Sequence, residues 1–224
     1  MLRLSEVKLP LEHTDADIQS AILKKLSIAP KDLIRHTIFK RSYDARKRGA
    51  VSFVYIIDIE TTREQQLLQR FKKDPHIVPT PDTSYRYVTQ APSRLEQRPI
   101  VIGCGPCGMF AGLLLAQMGF RPIILERGKA VHDRSVDTFG FWSKAKFNPE
   151  SNAQFGEGGA GTFSDGKLYS RIKDANHHGR KVLAELVNAG AASEILYINK
   201  PHIGTYRLVI VVEVLRNAIT FVGG

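Results

Sequence analysis

Cysteine is almost absent from this chain. Its two copies, Cys104 and Cys107, stand three positions apart, which excludes a disulfide framework and makes the reducing cytoplasm the expected setting. No set of His, Cys, Asp and Glu has metal-ligand spacing, so no metal site is expected. No Ser-His-Asp arrangement stands out either. The N-terminus lacks an apolar signal core, and Glu6, Glu12, Asp15 and Asp17 come too early for a transit peptide. Long uncharged runs are missing with one exception, 99–120. Gly103, Gly105, Gly108 and Pro106 interrupt it internally and Gln117 sits near its end. It reads as a buried strand followed by a buried helix, not as a membrane span.

The formal net charge of +10 is not a basic tail. It divides evenly, +5 on residues 1–97 and +5 on 98–224. The densest basic cluster, Lys40-Arg41 with Arg46-Lys47-Arg48, lies near an expected turn. No interleaved aromatic residues accompany it, so it reads as a solvated loop and not as a nucleic-acid surface.

The most informative segment is 99–128, PIVIGCGPCGMFAGLLLAQMGFRPIILERG. An apolar strand, Ile100-Val101-Ile102, runs into Gly103-x-Gly105-x-x-Gly108. An apolar helix pattern follows as far as Gly119, and a second strand, Pro122 to Leu125, ends at Glu126. Strand, glycine turn, helix, strand and acid together form the frame that grips an adenine dinucleotide. Gly103 permits the tight turn, Gly105 keeps the backbone open to a pyrophosphate, and Gly108 lets the helix pack closely. The helix N-terminus, opened by Pro106 and Cys107, favours the phosphates' charge. Glu126 can accept hydrogen bonds from both adenosine ribose hydroxyls. A competing reading rests on Cys104-Gly105-Pro106-Cys107, which spells a thioredoxin-type redox motif. It leaves Gly103, Gly108 and Glu126 unexplained.

Residues 1–97 read as a separate α+β unit with a linker from about residue 91. Strands are expected at 4–9, 33–40, 50–59 and 85–89. Helices are expected after Thr14, as N-cap of a capping box with Asp17, and over 63–72. The order β-α-β-β-α-β suggests a ferredoxin-like sandwich. Residues 98–224 form the second domain. Five glycines fall within 156–166, giving a loop whose backbone lies open to something flat or anionic. A helix capped by Thr205 is expected over 206–221.

These residues resemble the FAD-dependent dehydrogenases of the two-dinucleotide-binding-domain flavoprotein type. The matching segments are Gly103 to Glu126, then Glu126-Arg127-Gly128, Asn152-Ala153-Gln154-Phe155, the block Gly156 to Leu168, Pro201-His202-Ile203-Gly204-Thr205, and Arg41-Ser42-Tyr43-Asp44-Ala45-Arg46-Lys47. Cys107 and Gly112 stand where alanine is usual, and Tyr206 stands where an Asp is expected. The resemblance implies an α/β fold with a Rossmann-like FAD/NAD(P)-binding βαβ unit. It implies FAD as cofactor, with its pyrophosphate on Gly103, Gly105, Pro106, Cys107 and Gly108 and its ribose on Glu126, next to Arg127. Gly158, Gly159, Ala160, Gly161, Thr162 and Ser164 would lie near the phosphates and the flavin ring. NAD(P)H is the candidate electron donor, and the substrate is an unidentified small molecule. Lys167 is a candidate for placing positive charge at the flavin's N1–C2=O edge. His177, His178 and His202 are candidate proton donors. Family members continue well beyond the position matching Gly224, so the chain reads as the N-terminal portion of such a protein, with an incomplete sheet. Residues 1–97 are then expected to fold alone, and 99–224 to be marginal and to hold FAD weakly. The alternatives are a nucleotide- or RNA-binding protein that uses the basic N-terminal domain, and a dithiol oxidoreductase using Cys104 and Cys107.

Overall fold

A computed structural model describes residues 1–47, 49–170 and 172–224. Arg48, the last member of the basic cluster, lies outside the described residues. The chain is mixed α/β and divides into two compact units, one of residues 1–83 with 196–199, the other of 84–195 with 200–224.

In the first unit, β1 (Leu2–Pro10), β2 (Leu33–Asp44), β3 (Ser52–Thr61) and β4 (Ile77–Pro79) form an antiparallel sheet in the order β2-β3-β1-β4. Alternation sends Tyr55, Ile57 and Ile59 of β3 into the core with Leu2, Leu4 and Val7 of β1. Helix α1 (Asp15–Leu26) covers that face with Ile18, Ile22 and Leu26 at helical spacing. The Thr14 hydroxyl accepts from the Asp17 N–H, and the Asp17 carboxylate accepts from the Thr14 N–H, a complete capping box. Helix α2 (Glu64–Arg70) adds Leu67. The register of β1 against β3 shifts between Leu4 and Val7, where Glu6 takes φ +55°. Lys25 donates to the Ser5 carbonyl at 2.7 Å, so the bulge keeps its hydrogen bonding.

The strand expected at 85–89 does not form; the last strand of the sheet is β4. The aromatic residues that gave the strand pattern are side-chain anchors of the second unit. Tyr87 Oη donates to Gln117 at 2.7 Å and accepts from Lys181 at 3.0 Å. The Lys181 ammonium also lies over the Tyr85 and Tyr87 rings, 5.6 and 5.3 Å from their centroids.

In the second unit β5 (Ile100–Ile102) and β6 (Ile123–Leu125) pair in parallel, joined by α3 (Pro106–Gln117). Then come α4 (Val131–Lys144), α5 (His178–Asn188) and α6 (Thr205–Phe221). The core gathers Met109, Leu113 and Ala116 of α3 with Val211, Val212, Leu215 and Ile219 of α6 and Leu186 of α5. Gly204 is the N-cap of α6, one residue before the expected Thr205. Thr205 instead uses its hydroxyl to donate to the Ser164 carbonyl at 2.6 Å. The uncharged run 99–120 is split between β5, a turn and α3. Among the described residues no helix is long and apolar enough to cross a membrane.

Candidate functional site

The site is built outward from the turn after β5. Gly103 takes φ +90°, a conformation in which L side chains are strained. Its N–H donates to the Leu125 carbonyl at 2.7 Å, extending the β5–β6 pairing by one bond. A Cβ on Gly108 would lie 1.9 Å from the Gly103 oxygen, so only glycine lets α3 sit this close to the turn. Gly105 differs. Its φ is −74°, and a Cβ there would meet only the Gly159 Cα, at 3.9 Å. Neither conformation nor packing within the chain demands glycine at that position. Pro106 opens α3 and no side chain caps its N-terminus, which leaves the first helical amides available to an anion.

Glu126 ties the two strand ends together. One carboxylate oxygen accepts from the Cys104 N–H at 2.7 Å and the other from the Gly128 N–H at 2.8 Å. Each oxygen keeps a lone pair. The carboxylate opens onto a cavity of about 340 Å³, walled also by Glu157, Arg216, Lys129, Ile124 and Ile219.

The glycine block folds back onto the turn. The Gly158 N–H donates to the Cys104 carbonyl at 2.7 Å. Gly158 and Gly159 have φ of +84° and +67°, and a Cβ on Gly159 would lie 2.9 Å from Pro106 and 3.2 Å from Gly105. Backbone thus lies on backbone, with no side chain between. Residues Ala160–Phe163 make one 3₁₀ turn, in which Ala160 and Gly161 are exposed and a Cβ on Gly161 would meet nothing within 4 Å. Thr162 is buried, and among the described residues its hydroxyl finds no partner. The Ser164 hydroxyl donates to the Gly161 carbonyl at 2.6 Å.

Three residues that the sequence reading gave no role hold this arrangement. Arg134 of α4 is fully buried and donates to the carbonyls of Asn152, Ala153 and Glu157 at 2.8, 3.0 and 2.5 Å. Burial pulls its pKa down, and the charges of Glu126 and Glu157 oppose that. Glu157, also buried, accepts from the Val131 N–H at 2.7 Å and from Arg216 of α6 at 2.8 Å. An acid within a run of glycines was the available signal for Glu157. Nothing local marks the site role of Arg134 or Arg216, because the partners they hold in the site lie 18 to 59 positions away; the local pairing of Arg216 with Glu213 is an ordinary surface contact within α6.

Other predicted residues fall elsewhere. Arg127 is exposed, pairs with Glu150 at 2.9 Å and lies over Phe155. Lys167 is exposed and pairs with Asp165 at 3.1 Å, and that hydrogen bond holds its pKa above the ordinary value. His202 is exposed and bridges to Lys167, while His177 and His178 stand at the start of α5. The Cys104 thiol is buried, and burial, helped by Glu157 and Glu126, pushes it up to about 11. Cys107 is exposed. Among the described residues no group of three His, Cys, Asp or Glu is placed to hold a metal ion.

Residues 1–60, which run from β1 nearly to the end of β3, match a family described as a domain of unknown function (DUF8436). An uncharacterized protein of Clostridium beijerinckii is 40% identical over 223 residues, covering 100% of this chain and 41% of the relative. The chain therefore spans about two fifths of the length of the curated relative it matches.

Proposed function

We propose that this chain is the dinucleotide-binding part of an FAD-dependent oxidoreductase. In this reading β5–α3–β6 is the opening βαβ of a Rossmann-like domain, and the first unit, with its strand order β2-β3-β1-β4, is of the ferredoxin-like type. Of three glycines that neither φ nor packing explains, Gly140 lies within α4, and the other two, Gly105 and Gly161, carry the reading. Gly105 and Gly161 have neither a left-handed φ nor a neighbour that excludes a Cβ. Both belong to segments that Gly158 and Gly159 hold together. An external group that lies flat on backbone explains glycine at both places.

The residues present fit the cofactor's charges and hydroxyls. The uncapped amides of α3 and the turn 103–108 would hold the pyrophosphate. Glu126 would accept from ribose hydroxyls with the lone pairs its backbone donors leave. The loop 158–164 would lie beside the phosphates and ring. FAD, when bound, supplies the hydride-accepting ring. The chain's own part is to bind and orient it, with Arg134 and Glu157 fixing the loop. NAD(P)H is the proposed electron donor. The dithiol reading is disfavoured, since Cys104 stays a protonated, buried thiol at neutral pH. Absorbance of the purified chain after addition of FAD and removal of the excess tests the proposal. Flavin bands at about 370 and 450 nm are expected, retained only in part, because residues 99–224 are expected to hold FAD weakly. A colourless protein that also fails to bind FAD in equilibrium dialysis at millimolar cofactor would count against it.

A further inference from the structure

On the face of the first unit's sheet opposite its core, two irregularities fall at one place. The register of β1 against β3 shifts between Leu4 and Val7, and that of β2 against β3 shifts between Ile38 and Lys40. Ile56 of β3 therefore has a bulge on either side. Bulges re-aim side chains and gather beside binding sites. The one in β2 does so here. Ile38 stands beside the core residue Ile57, yet Lys40, two positions on, stands beside Ile56 on the other face. Regular alternation would have kept Lys40 on the core side. In the β1 bulge Glu6 takes φ +55°, a conformation that a residue with a side chain rarely adopts.

Between the bulges lies a trough of about 500 Å³, within the size range of small-molecule sites. Its floor is Val54 and Ile56, both half-buried and outside the core cluster. Lys40 and Ser42 of β2 stand on one side of that floor. Ser5 and Glu6 of β1 stand on the other with His76, whose Nδ1 lies 3.1 Å from the Ser5 hydroxyl. Most charges here are matched within the chain. Asp44 accepts from Arg46 at 2.7 Å and from Lys8 at 3.0 Å, and Glu6 lies 3.6 Å from Lys8. Lys40 differs. Among the described residues neither its ammonium nor the Ser42 hydroxyl has a partner. One unmatched positive charge, a hydroxyl donor and an aliphatic floor suit a monoanion with an apolar body. A phosphate monoester brings a second negative charge that no unmatched cation awaits. A nucleic-acid strand needs a row of cations, and Glu6 and Asp44 would oppose it.

We propose that this trough binds a small apolar carboxylic acid, with Lys40 and Ser42 holding the carboxylate and Val54 and Ile56 carrying the apolar body. The site lies wholly within the first unit and does not rest on the flavin reading. It also gives a role to the segment 41–47, which the flavin reading leaves without one. The test is a titration of the full chain with 3-phenylpropionate, followed by amide NMR shifts and run without flavin. Amides of 40–42 and 54–56 should shift saturably with a Kd of about 1 mM or lower. The neutral analogue 3-phenylpropanol should bind about tenfold more weakly or worse. Lys40→Met should weaken binding of the acid by about the same factor, and Lys40→Arg should keep most of the affinity, because the charge-assisted hydrogen bond survives. Absence of saturable shifts at these amides up to about 10 mM acid, a thousandth of the affinity range of typical micromolar sites, overturns the proposal. Equal binding of the acid and the alcohol does so as well, and that comparison needs no variant. Shifts confined to 103–108 would place the carboxylate at the start of α3 and overturn it too. Tighter binding of phenyl phosphate or of a uridine oligonucleotide at 40–42 and 54–56 would assign the trough to phosphate and overturn the carboxylate assignment.

Discussion

At the scale of single residues, two glycines of one turn separate stability from binding. A methyl on Gly108 meets the Gly103 oxygen at 1.9 Å, so Gly108→Ala forces α3 off the turn and should cost about 1–3 kcal/mol. Gly105→Ala meets nothing closer than 3.9 Å and should leave the melting temperature within about a degree, since an uncrowded surface change is close to neutral. Under the proposed flavin reading its methyl would crowd the pyrophosphate, and FAD affinity should then fall by about tenfold or more. Thermal melts paired with flavin titrations check both, and a Gly105→Ala protein with undiminished affinity would place the phosphates elsewhere. The cysteines separate in the same way. Cys107 should alkylate readily at pH 8, and Cys104 only as pH approaches about 11. A thiol whose folded pKa is raised stabilises the fold fully below its ordinary value of 9.0 and ceases to do so as pH rises through about 11. A Cys104→Ala protein should therefore lose less stability than the parent between those limits, measured by urea titration.

At the scale of elements, the glycine block is held by side chains from α4 and α6, and this is testable away from the cofactor. Arg134→Met keeps much of the volume but leaves the carbonyls of Asn152, Ala153 and Glu157 without their buried donor. Such a loss should cost about 3–5 kcal/mol, and protease cleavage should begin within 152–164. Lys181 and Glu185 on α5 form a pH-sensitive pair with Tyr87 and Gln117. Burial would raise the Glu185 carboxyl, but hydrogen bonds from Lys181 and Gln117 outweigh it and hold the pKa below its ordinary 4.5. The stabilisation is present above that value and fades as pH falls through the lowered one. Glu185→Gln should flatten the acid limb of the stability curve for this unit.

What the sequence disclosed follows the range of each interaction. The capping box at Thr14, the alternation in β3 and the turn 103–108 are local patterns, and they were legible. Tyr85 to Thr89 alternates as a strand would, yet no strand edge receives it, and its rings pack on Lys181 instead. Helices α4 and α5 went unread. In α4 a central Gly140 breaks the helical signal, and α5 follows His177, a non-glycine residue in the left-handed region, with its first amides capped by Asp174 from four and five positions back, outside the usual capping spacing. Arg134 and Arg216 needed three-dimensional partners to acquire a role.

At the scale of the whole molecule, the two units differ in how completely each buries its own sheet. In the first, a four-stranded sheet has one face closed by α1 and α2, and Leu2, Leu4, Ile57 and Ile59 are fully buried. In the second, a two-stranded sheet leaves four aliphatic side chains in water, and a pair that small has little stability of its own. Unfolding should then proceed in two steps, with the amides of β3 exchanging slowest and those of β5 and β6 fastest among the strands. Core truncations assign the steps. Ile57→Ala, in the first unit, and Leu113→Ala, in the second, should each cost about 2–5 kcal/mol and each move a different urea transition. If both substitutions shift one common transition by similar amounts, the units fold as a single cooperative body. In that case the exposed face of β5 and β6 is supported by more than its own unit.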